Sequence, residues 1–297
     1  MAPTAISILK QLQTDMAKLS VVIATRNEEK NIGPCLESIK GIADQIIVVD
    51  EYSTDKTREI AKRYGAKVYL EPHHDIFHIT KQKALEKASG DWILQLDADE
   101  VVTTQLANEV RRLVTRNTQP KKPSKLFIRH QKLIEQRDGK IGKETGEIVA
   151  FFVPRRNFFL GKPLVHAGAY PDASIRLVKK DRAHFPAKSV HEIMHVDGEV
   201  AWLYNDLEHQ DSPTFTRYIE RMNRYTDLHA RELRQKGVPK NILALISYSF
   251  YKPAATFVNL YLRHKGFSDG MRGFIWSLFS SLHYPIAYFK YWQEGKK

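Results

Sequence analysis

Trp92-Ile93-Leu94-Gln95-Leu96-Asp97-Ala98-Asp99-Glu100 is an apolar run that ends abruptly in three acids. This pattern predicts a buried strand that delivers carboxylates to its C-terminal end. Asp97 and Asp99 stand two residues apart, so in extended backbone their side chains point to the same side. Carboxylate oxygens of this kind suit Mg²⁺ or Mn²⁺. The D-x-D spacing alone is a weak signal, because any acidic strand end produces it.

The residues before this stretch alternate between strand and helix patterns. Predicted strands are Leu19–Ala24, Gln45–Asp50, Lys67–Leu70 and Trp92–Leu96, and predicted helices are Ile32–Ile39, a segment capped by Ser53-Thr54-Asp55 that runs to Tyr64, Ile79–Ala88 and Thr104–Thr115. Such alternation predicts a parallel sheet with helices on both faces. Ligands of these sheets bind beyond the C-terminal ends of the strands. Polar side chains converge there, namely Thr25, Asn27, Asp50, Asp97 and Asp99.

The second half of the chain has a less regular pattern. We expect strands at Leu126–Ile134 and Ile148–Val153, joined by a hairpin over Gln136–Gly146, and a further strand at Ala173–Val178. From Pro213 the pattern becomes helical, with segments Thr214–Lys236, Ile242–Leu262 and Phe274–Trp292. Neither G-x-x-x-x-G-K-[ST] nor G-x-G-x-x-G occurs, so the sequence lacks both common glycine-rich phosphate loops.

Net positive charge is concentrated in the C-terminal part of the chain. The 297 residues carry a formal net charge of +12, and Pro213–Lys297 alone has 14 Lys and Arg against five Asp and Glu. This asymmetry predicts an anionic partner, or else a solvated helical surface. Aromatic residues beside Lys and Arg in the same segment resemble helices that lie in a membrane interface, and a subunit interface stays an alternative.

The N-terminal residues and the single cysteine give weaker evidence about where the protein is located. Residues 1–18 contain no long apolar stretch, so we expect an N-terminal extension rather than a signal peptide. Cys35 is alone, which excludes an intrachain disulfide and fits a reducing cytoplasm.

Four motifs in order give the sequence a specific resemblance. They are Ser20-Val21-Val22-Ile23-Ala24-Thr25-Arg26-Asn27-Glu28, Ile46-Ile47-Val48-Val49-Asp50, Ser53-Thr54-Asp55-Lys56-Thr57 and Gly90-Asp91-Trp92-Ile93-Leu94-Gln95-Leu96-Asp97-Ala98-Asp99-Glu100. Together they resemble glycosyltransferase family 2, the inverting nucleotide-sugar enzymes with a GT-A fold. The sequence departs from the family pattern at Glu51, Tyr52, Lys56 and Gln82, near the expected nucleotide pocket.

Later motifs narrow the resemblance to a bacterial subgroup that includes lipopolysaccharide core β-glucosyltransferases. They are Tyr170-Pro171-Asp172-Ala173-Ser174-Ile175-Arg176-Leu177, Val190-His191-Glu192, Leu207-Glu208-His209 and Lys265-Gly266-Phe267-Ser268-Asp269-Gly270-Met271-Arg272-Gly273-Phe274. The resemblance implies an α/β fold, with a GT-A nucleotide-sugar-binding domain at 19–212 built on a mixed, mainly parallel sheet. A basic, aromatic-rich helical extension follows at 213–297.

The implied reaction is attack by an acceptor hydroxyl on the anomeric carbon of a nucleotide-activated sugar. A divalent cation, Mn²⁺ or Mg²⁺, would neutralise the nucleoside diphosphate that leaves. The resemblance implies Asp99 as the first metal ligand and His209 as a further one. Asp97 would contact the ribose or a metal-bound water.

The remaining site residues divide between the base and the nucleotide. A carboxylate must accept the proton of the acceptor hydroxyl, with Glu192 as first candidate and Glu100 as competitor. Thr25, Asn27 and Glu28 are expected to line the nucleoside pocket. Asp50 would accept a hydrogen bond from a base imide N–H, which favours uracil, and Lys81 and Arg176 would meet the diphosphate.

These expectations favour a UDP-sugar glycosyltransferase, with glucose as the favoured sugar, in the cytoplasm at the inner face of the bacterial inner membrane. Its acceptor would be an anionic glycolipid such as a lipopolysaccharide inner core, and its C-terminal helices would meet the membrane surface or form a homo-oligomer. Alternatives are another acceptor, such as polyprenyl phosphate, another surface glycan or a protein. A non-enzymatic membrane or nucleic-acid binder is a remote alternative, because it does not explain the ordered strand-end motifs.

Overall fold

The computed structural model describes residues 17–116, 120–187 and 193–293. The strands are β1 Leu19–Thr25, β2 Gln45–Asp50, β3 Lys67–Leu70, β4 Trp92–Asp97, β5 Glu100–Val102, β6 Ile148–Val153, β7 Arg155–Phe159, β8 Lys162–Pro163, β9 Ser174–Lys179, β10 Ala183–His184, β11 His195–Val196, β12 Glu199–Trp202 and β13 Leu207–Ser212. The helices are α1 Ile32–Ile39, α2 Thr57–Arg63, α3 Phe77–Glu86, α4 Thr104–Arg116, α5 Lys125–Asp138, α6 Phe215–Gln235, α7 Ile242–Ile246, α8 Lys252–Val258 and α9 Gly270–Gln293. Short π-helical turns at Ser247–Tyr251 and Asn259–Arg263 follow α7 and α8, and a 3₁₀ turn at Gly266–Asp269 precedes α9.

A seven-stranded sheet organises the first part of the chain, with strand order β12-β6-β9-β4-β1-β2-β3. Four neighbouring pairs are parallel, and β9 runs antiparallel to both β4 and β6. The mixed, mainly parallel sheet predicted from the sequence is therefore confirmed.

The burial of β1 reflects its interior position in the sheet, between β4 and β2. All seven of its residues are buried, as expected for a strand covered on both faces. Helix α1 contributes Ile32, Cys35, Leu36 and Ile39 to the same core, at the spacing of one helical face. Full burial of a side chain the size of leucine contributes roughly 1.5–3 kcal/mol.

The register of the strands brings predicted site residues together at the carboxyl ends of β1, β2 and β4. Thr25 lies opposite Asp50 on β1 and β2, and Ala24 lies opposite Asp97 on β1 and β4. Strand β13 pairs antiparallel with β5 and sets His209 opposite Glu100. A residue more than a hundred positions away in sequence thus returns beside the acidic strand end.

The predicted strand at Leu126–Ile134 and the hairpin after it are wrong. Helix α5 spans Lys125–Asp138, capped by the Ser124 side chain, which accepts from the backbone N–H of Phe127. Phe127 and Ile134 are buried seven positions apart, whereas Leu126 and Leu133 are exposed, so the apolar residues follow a helical rather than an alternating period.

The chain divides into two compact units, of which the first comprises the described parts of Met1–Arg155 and Pro171–His209. The second comprises Arg156–Tyr170 and the described part of Gln210–Lys297. Residues 156–170 thus cluster with the C-terminal helices, and the predicted division between 19–212 and 213–297 stays a prediction. Of the predicted extension at 1–18, residues 1–16 lie outside the described part.

Helices dominate the second unit. Its aromatic core includes Tyr248 of the first π turn and Tyr288 of α9, whose rings stack 5.1 Å apart. Pro253 follows that π turn closely, and a proline inside a helix removes one backbone hydrogen bond and crowds the preceding turn. Across the residues with described positions, we find no helix with both the length and the apolar character that a bilayer span requires.

Candidate active site

The ends of β1 and β2 are joined by the buried carboxylate of Asp50. Its Oδ2 accepts from Thr25 Oγ1 at 2.7 Å and from Ser53 Oγ at 2.6 Å, and its Oδ1 accepts from the Ser53 backbone N–H at 2.7 Å. Thr25 and Asp50 are both fully buried. These bonds fix the loops after the two strands, and the predicted contact of Asp50 with a base stays a prediction.

The loop after β1 turns away from the sheet at Asn27, which has a positive φ of 55°. Asparagine tolerates this left-handed backbone better than most residues. Its side-chain oxygen accepts from the Thr54 backbone N–H at 2.8 Å, and the next backbone N–H, of Glu28, donates to Thr57 Oγ1 at 2.7 Å. The Thr-Arg-Asn-Glu and Ser-Thr-Asp motifs therefore hold one another.

Asp97, at the end of β4, is held by two cations. Lys81 Nζ lies 2.5 Å from its Oδ1, and Arg176 Nη2 lies 2.7 Å from its Oδ2. Burial alone would raise the pKa of Asp97, but Arg176 and Lys81 outweigh it and hold this pKa well below the usual range. Because both oxygens face cations, Asp97 is poorly placed to bind a divalent metal in this arrangement.

Glu100 is fully buried in the same network. Its carboxylate accepts from the Asp97 backbone N–H at 2.8 Å, lies 2.5 Å from Arg176 and lies 3.3 Å from Arg155. Arg155 also donates to the Asp172 carboxylate at 2.8 Å. A carboxylate enclosed by two guanidinium groups positions the strand end, and the choice between Glu192 and Glu100 as proton acceptor stays a prediction.

Asp99 and His209 form a separate pair, with Asp99 Oδ2 lying 3.5 Å from His209 Nε2. Burial would raise the pKa of Asp99, but its interaction with His209 lowers the net value. Burial would lower the pKa of His209, but the Asp99 carboxylate outweighs it and raises the net value. The two side chains have the spacing and charge of a hydrogen-bonded or metal-bridging pair.

The donor chemistry of this pair fits a divalent cation. An ion that bonds each ligand at about 2.0–2.1 Å can touch two atoms 3.5 Å apart. The carboxylate suits Mn²⁺ or Mg²⁺, whereas the imidazole suits transition metals and so favours Mn²⁺ over Mg²⁺. The pair would leave positions for diphosphate oxygens. The described residues hold no cluster of three or more His, Cys, Asp or Glu able to bind a metal, so within that part of the chain this pair is the candidate ligand set.

Sequence reasoning missed two members of the network, the buried Gln95 and the partly buried Arg155. Gln95 lies inside β4 with no exposed surface, and its Oε1 accepts a hydrogen bond from Arg176 Nη1. A polar residue in the middle of an apolar strand was the available signal, since buried amides are almost always hydrogen-bonded. Nothing in the local sequence marked Arg155. Glu192, the first candidate for the base, lies outside the described residues, as does His191.

The mainly parallel sheet, the acidic pair at the end of β4 and the returning histidine agree with the GT-A fold that the sequence resemblance implies. Residues 20–119 match the family described as Glycosyl transferase family 2. The match spans all four N-terminal motifs and confirms the resemblance drawn from them.

Two curated relatives show how far this similarity extends. An uncharacterized glycosyltransferase of Rickettsia typhi is 38% identical over 105 residues, which cover 35% of each chain. The matched segment thus spans about a third of that relative. The lipopolysaccharide core biosynthesis glycosyltransferase LpsC of Rhizobium meliloti is 26% identical over 283 residues, covering 93% of this chain and 92% of LpsC. Similarity to the lipopolysaccharide core subgroup is therefore also confirmed.

Among solved structures, the mannosyltransferase PcManGT of Pyrobaculum calidifontis, determined with GDP-Man and Mn²⁺, aligns with a TM-score of 0.48 and 15% identity. The alignment covers 96% of this chain and 89% of that one.

Proposed function

We propose that this protein is an inverting, metal-dependent glycosyltransferase that moves a hexose, first of all glucose, from a UDP-sugar to an anionic glycolipid. The observation that carries the proposal is the Asp99–His209 pair just beyond the carboxyl end of β4, with Asp99 inside the segment 20–119 that matches family 2. Similarity to LpsC along nearly the whole chain supports a lipopolysaccharide inner core as the acceptor.

Asp99 and His209 would hold Mn²⁺ or Mg²⁺ in this mechanism. When bound, the ion supplies positive charge that stabilises the departing diphosphate. Lys81 and Arg176 keep the neighbouring Asp97 carboxylate neutralised and in place. In our proposal Asp97 meets the ribose, and Lys81 exchanges part of its contact with Asp97 for the diphosphate.

The nucleoside would lie along the loops after β1 and β2. Thr25 and Asp50 tie these loops together, and Asn27 and Glu28 stand at the edge where a base and ribose would bind. Glu192 would take the proton of the acceptor hydroxyl as that oxygen attacks the anomeric carbon from the face opposite the diphosphate. Attack from that side inverts the anomeric configuration.

The proposed location is the cytoplasmic surface of the bacterial inner membrane, where such an acceptor is within reach. The basic composition of Pro213–Lys297 supports an anionic surface as the partner.

Calorimetry of UDP and UDP-sugars tests the donor site directly. We expect UDP to bind in Mn²⁺ and to lose at least tenfold in affinity in excess chelator or in Asp99→Asn. The matched control is Asp91→Asn, which changes an exposed acid just before the same strand and should bind like the wild type. Failure of every nucleotide to bind to folded protein would overturn the proposal.

The ranking of UDP-sugars identifies the donor, and product analysis with candidate acceptors identifies the acceptor class. Transfer to glucose-accepting inner-core glycolipid supports the proposal. Exclusive transfer to polyprenyl phosphate or to a protein would retain the donor chemistry and overturn the proposed acceptor.

A further inference from the structure

The second unit exposes an unusually large number of big apolar side chains. They line the helical stretch from α7 to the second π turn, where Ile242 and Tyr251 are exposed together with a row formed by Leu243, Ile246, Phe250, Val258 and Leu262. Leu243 and Phe250 have 73% and 69% of their surface in contact with solvent. Isolated exposed hydrophobic residues are ordinary, whereas a contiguous row of them marks an interaction surface.

The spacing of these residues places them on one side of the helical stretch. With exposed Ala254 included, successive positions from Leu243 to Leu262 differ by three or four residues. Residues at this spacing share one helix face. The opposite face is buried within the unit, at Ala244, Tyr248 and Pro253. A helix that is packed on one side and apolar on the other would lie along a surface.

Residues of the 3₁₀ turn and α9 extend the same apolar surface. The ring of Tyr261 lies 6.2 Å from Phe267 and 5.8 Å from Phe274, and Phe257 lies 5.9 Å from Phe274. Phe267, Phe274 and the neighbouring Met271 are all exposed, with 71% exposure at Met271. We name the exposed apolar side chains of residues 243–274 the apolar face.

The segment that carries the apolar face is predominantly basic. Residues 238–293 contain six Lys and Arg and a single acid, Asp269. That acid is occupied, because its carboxylate accepts from the His166 backbone N–H at 2.7 Å and lies 2.9 Å from the His166 ring. Arg263 and Lys265 are exposed directly after the helical stretch. Lys290 forms an ion pair with Asp227 of α6. The segment that carries the face therefore combines insertable apolar groups with a net positive charge.

We propose that the apolar face binds an anionic lipid bilayer, with its helical stretch lying in the plane of the interface. Apolar side chains would enter the boundary between headgroups and acyl chains while cations meet lipid phosphates, the two contributions that hold interfacial helices on membranes. A second copy of the chain is a poorer occupant, because pairing two such faces would bring like charges together without acids to neutralise them. This inference specifies the peripheral location proposed above and is independent of donor binding.

Vesicle sedimentation tests the proposal without donor, metal or acceptor. We expect the full-length protein to bind phosphatidylcholine vesicles containing about 30% phosphatidylglycerol, and to bind pure phosphatidylcholine at least tenfold more weakly. Binding should weaken between 50 and 500 mM salt, because a Debye length of about 10 Å at 0.1 M shortens to about 3 Å at 1 M. Equal binding to both vesicles, or none to the anionic ones, would overturn it.

Substitutions separate the apolar face from general charge. Phe250→Glu and Val258→Glu should each lower binding to anionic vesicles at least tenfold, while Leu133→Glu should leave it unchanged. Leu133 is a suitable control because it is an exposed leucine on α5, in the other unit. All three variants change the net charge equally, and circular dichroism checks that they fold.

Light scattering distinguishes a second copy from a membrane. If wild type is a dimer, Phe250→Glu is a monomer, and vesicle binding is the same in both, the face is a subunit interface and the proposal fails. If UDP binding fails while vesicle binding responds to Phe250→Glu as expected, the proposed enzyme activity is wrong and the membrane face stands.

Discussion

Arg176 connects three polar groups within the buried network at the end of β4. Its guanidinium contacts Gln95, Asp97 and Glu100 and is itself almost fully buried. A buried ion pair adds little net stability compared with apolar packing, because both charges lose their hydration. Loss of one partner is much more costly, because the other charge stays buried without compensation.

We therefore expect Arg176→Met to lower the free energy of unfolding by about 3–5 kcal/mol, since Glu100 and Asp97 would lose a shared cation. Urea denaturation measures this change. The matched control is Arg137→Met, because Arg137 is largely exposed and bonds to the adjacent Asp138, where about 0–1 kcal/mol is expected. Equal losses in the two variants would contradict the assigned role, and partial recovery in Arg176→Met/Glu100→Gln would support it.

The residues of this network also mark the limit of reading a site from sequence. Asp97, Asp99 and His209 were predicted to be site residues. Asp97 ends β4, and the pairing of β13 with β5 places His209 opposite Glu100 and 3.5 Å from Asp99. The ion pairs of Asp97 were not predicted, because they depend on Lys81 and Arg176 arriving from other elements. Side-chain pairing between distant segments leaves no periodic signal in the sequence.

At the scale of elements, regular periodicity determined which predictions held. The strands and helices from Leu19 to Arg116 lie close to their predicted bounds, because each apolar run is separated from the next by capping or turn residues. Helix α5 was mistaken for a strand because its exposed Leu126, Ile128 and Leu133 obscure the helical spacing of its buried side. Tertiary packing, which decides which apolar residues are buried, is absent from local sequence.

The packing of α9 on α6 makes a pH-dependent contribution to stability. The ring of His283 on α9 stacks on His229 of α6 at 5.0 Å. Burial lowers the pKa of His283 to about 4, with a smaller effect of His229 in the same direction and an opposing effect of Glu232. An unfolded histidine has a pKa of about 6.5, so the unfolded chain binds more protons between these values.

Buried neutral His283 therefore leaves the free energy of unfolding at its full value above about pH 6.5. This free energy decreases as the pH falls towards 4. We expect the wild type to lose more unfolding free energy than His283→Phe between pH 7.5 and pH 5 in urea denaturation. The variant keeps an aromatic ring and removes only the titrating group. Parallel pH profiles for the two proteins would show that this histidine does not titrate as its burial requires.

At the scale of the whole molecule, the two proposed surfaces belong to different compact units. The donor site is built from residues of the first unit, and the apolar face lies in the second. Each unit has its own buried core, one under the sheet and another around Tyr248 and Tyr288. We infer that donor binding and membrane binding are separable properties, each lost by a substitution that leaves the other.

Thermal unfolding with bound nucleotide measures this separation. UDP with Mn²⁺ at about a hundred times its dissociation constant should stabilise the folded protein by about 2.7 kcal/mol, because it binds the native state alone. For domains of this size each kcal/mol raises the unfolding midpoint by about 2–4 °C. We expect this increase in wild type and in Phe250→Glu but not in Asp99→Asn, whose vesicle binding should match wild type. An increase lost in Phe250→Glu would mean that the apolar face also supports the donor site, and the two surfaces would then have to act as one.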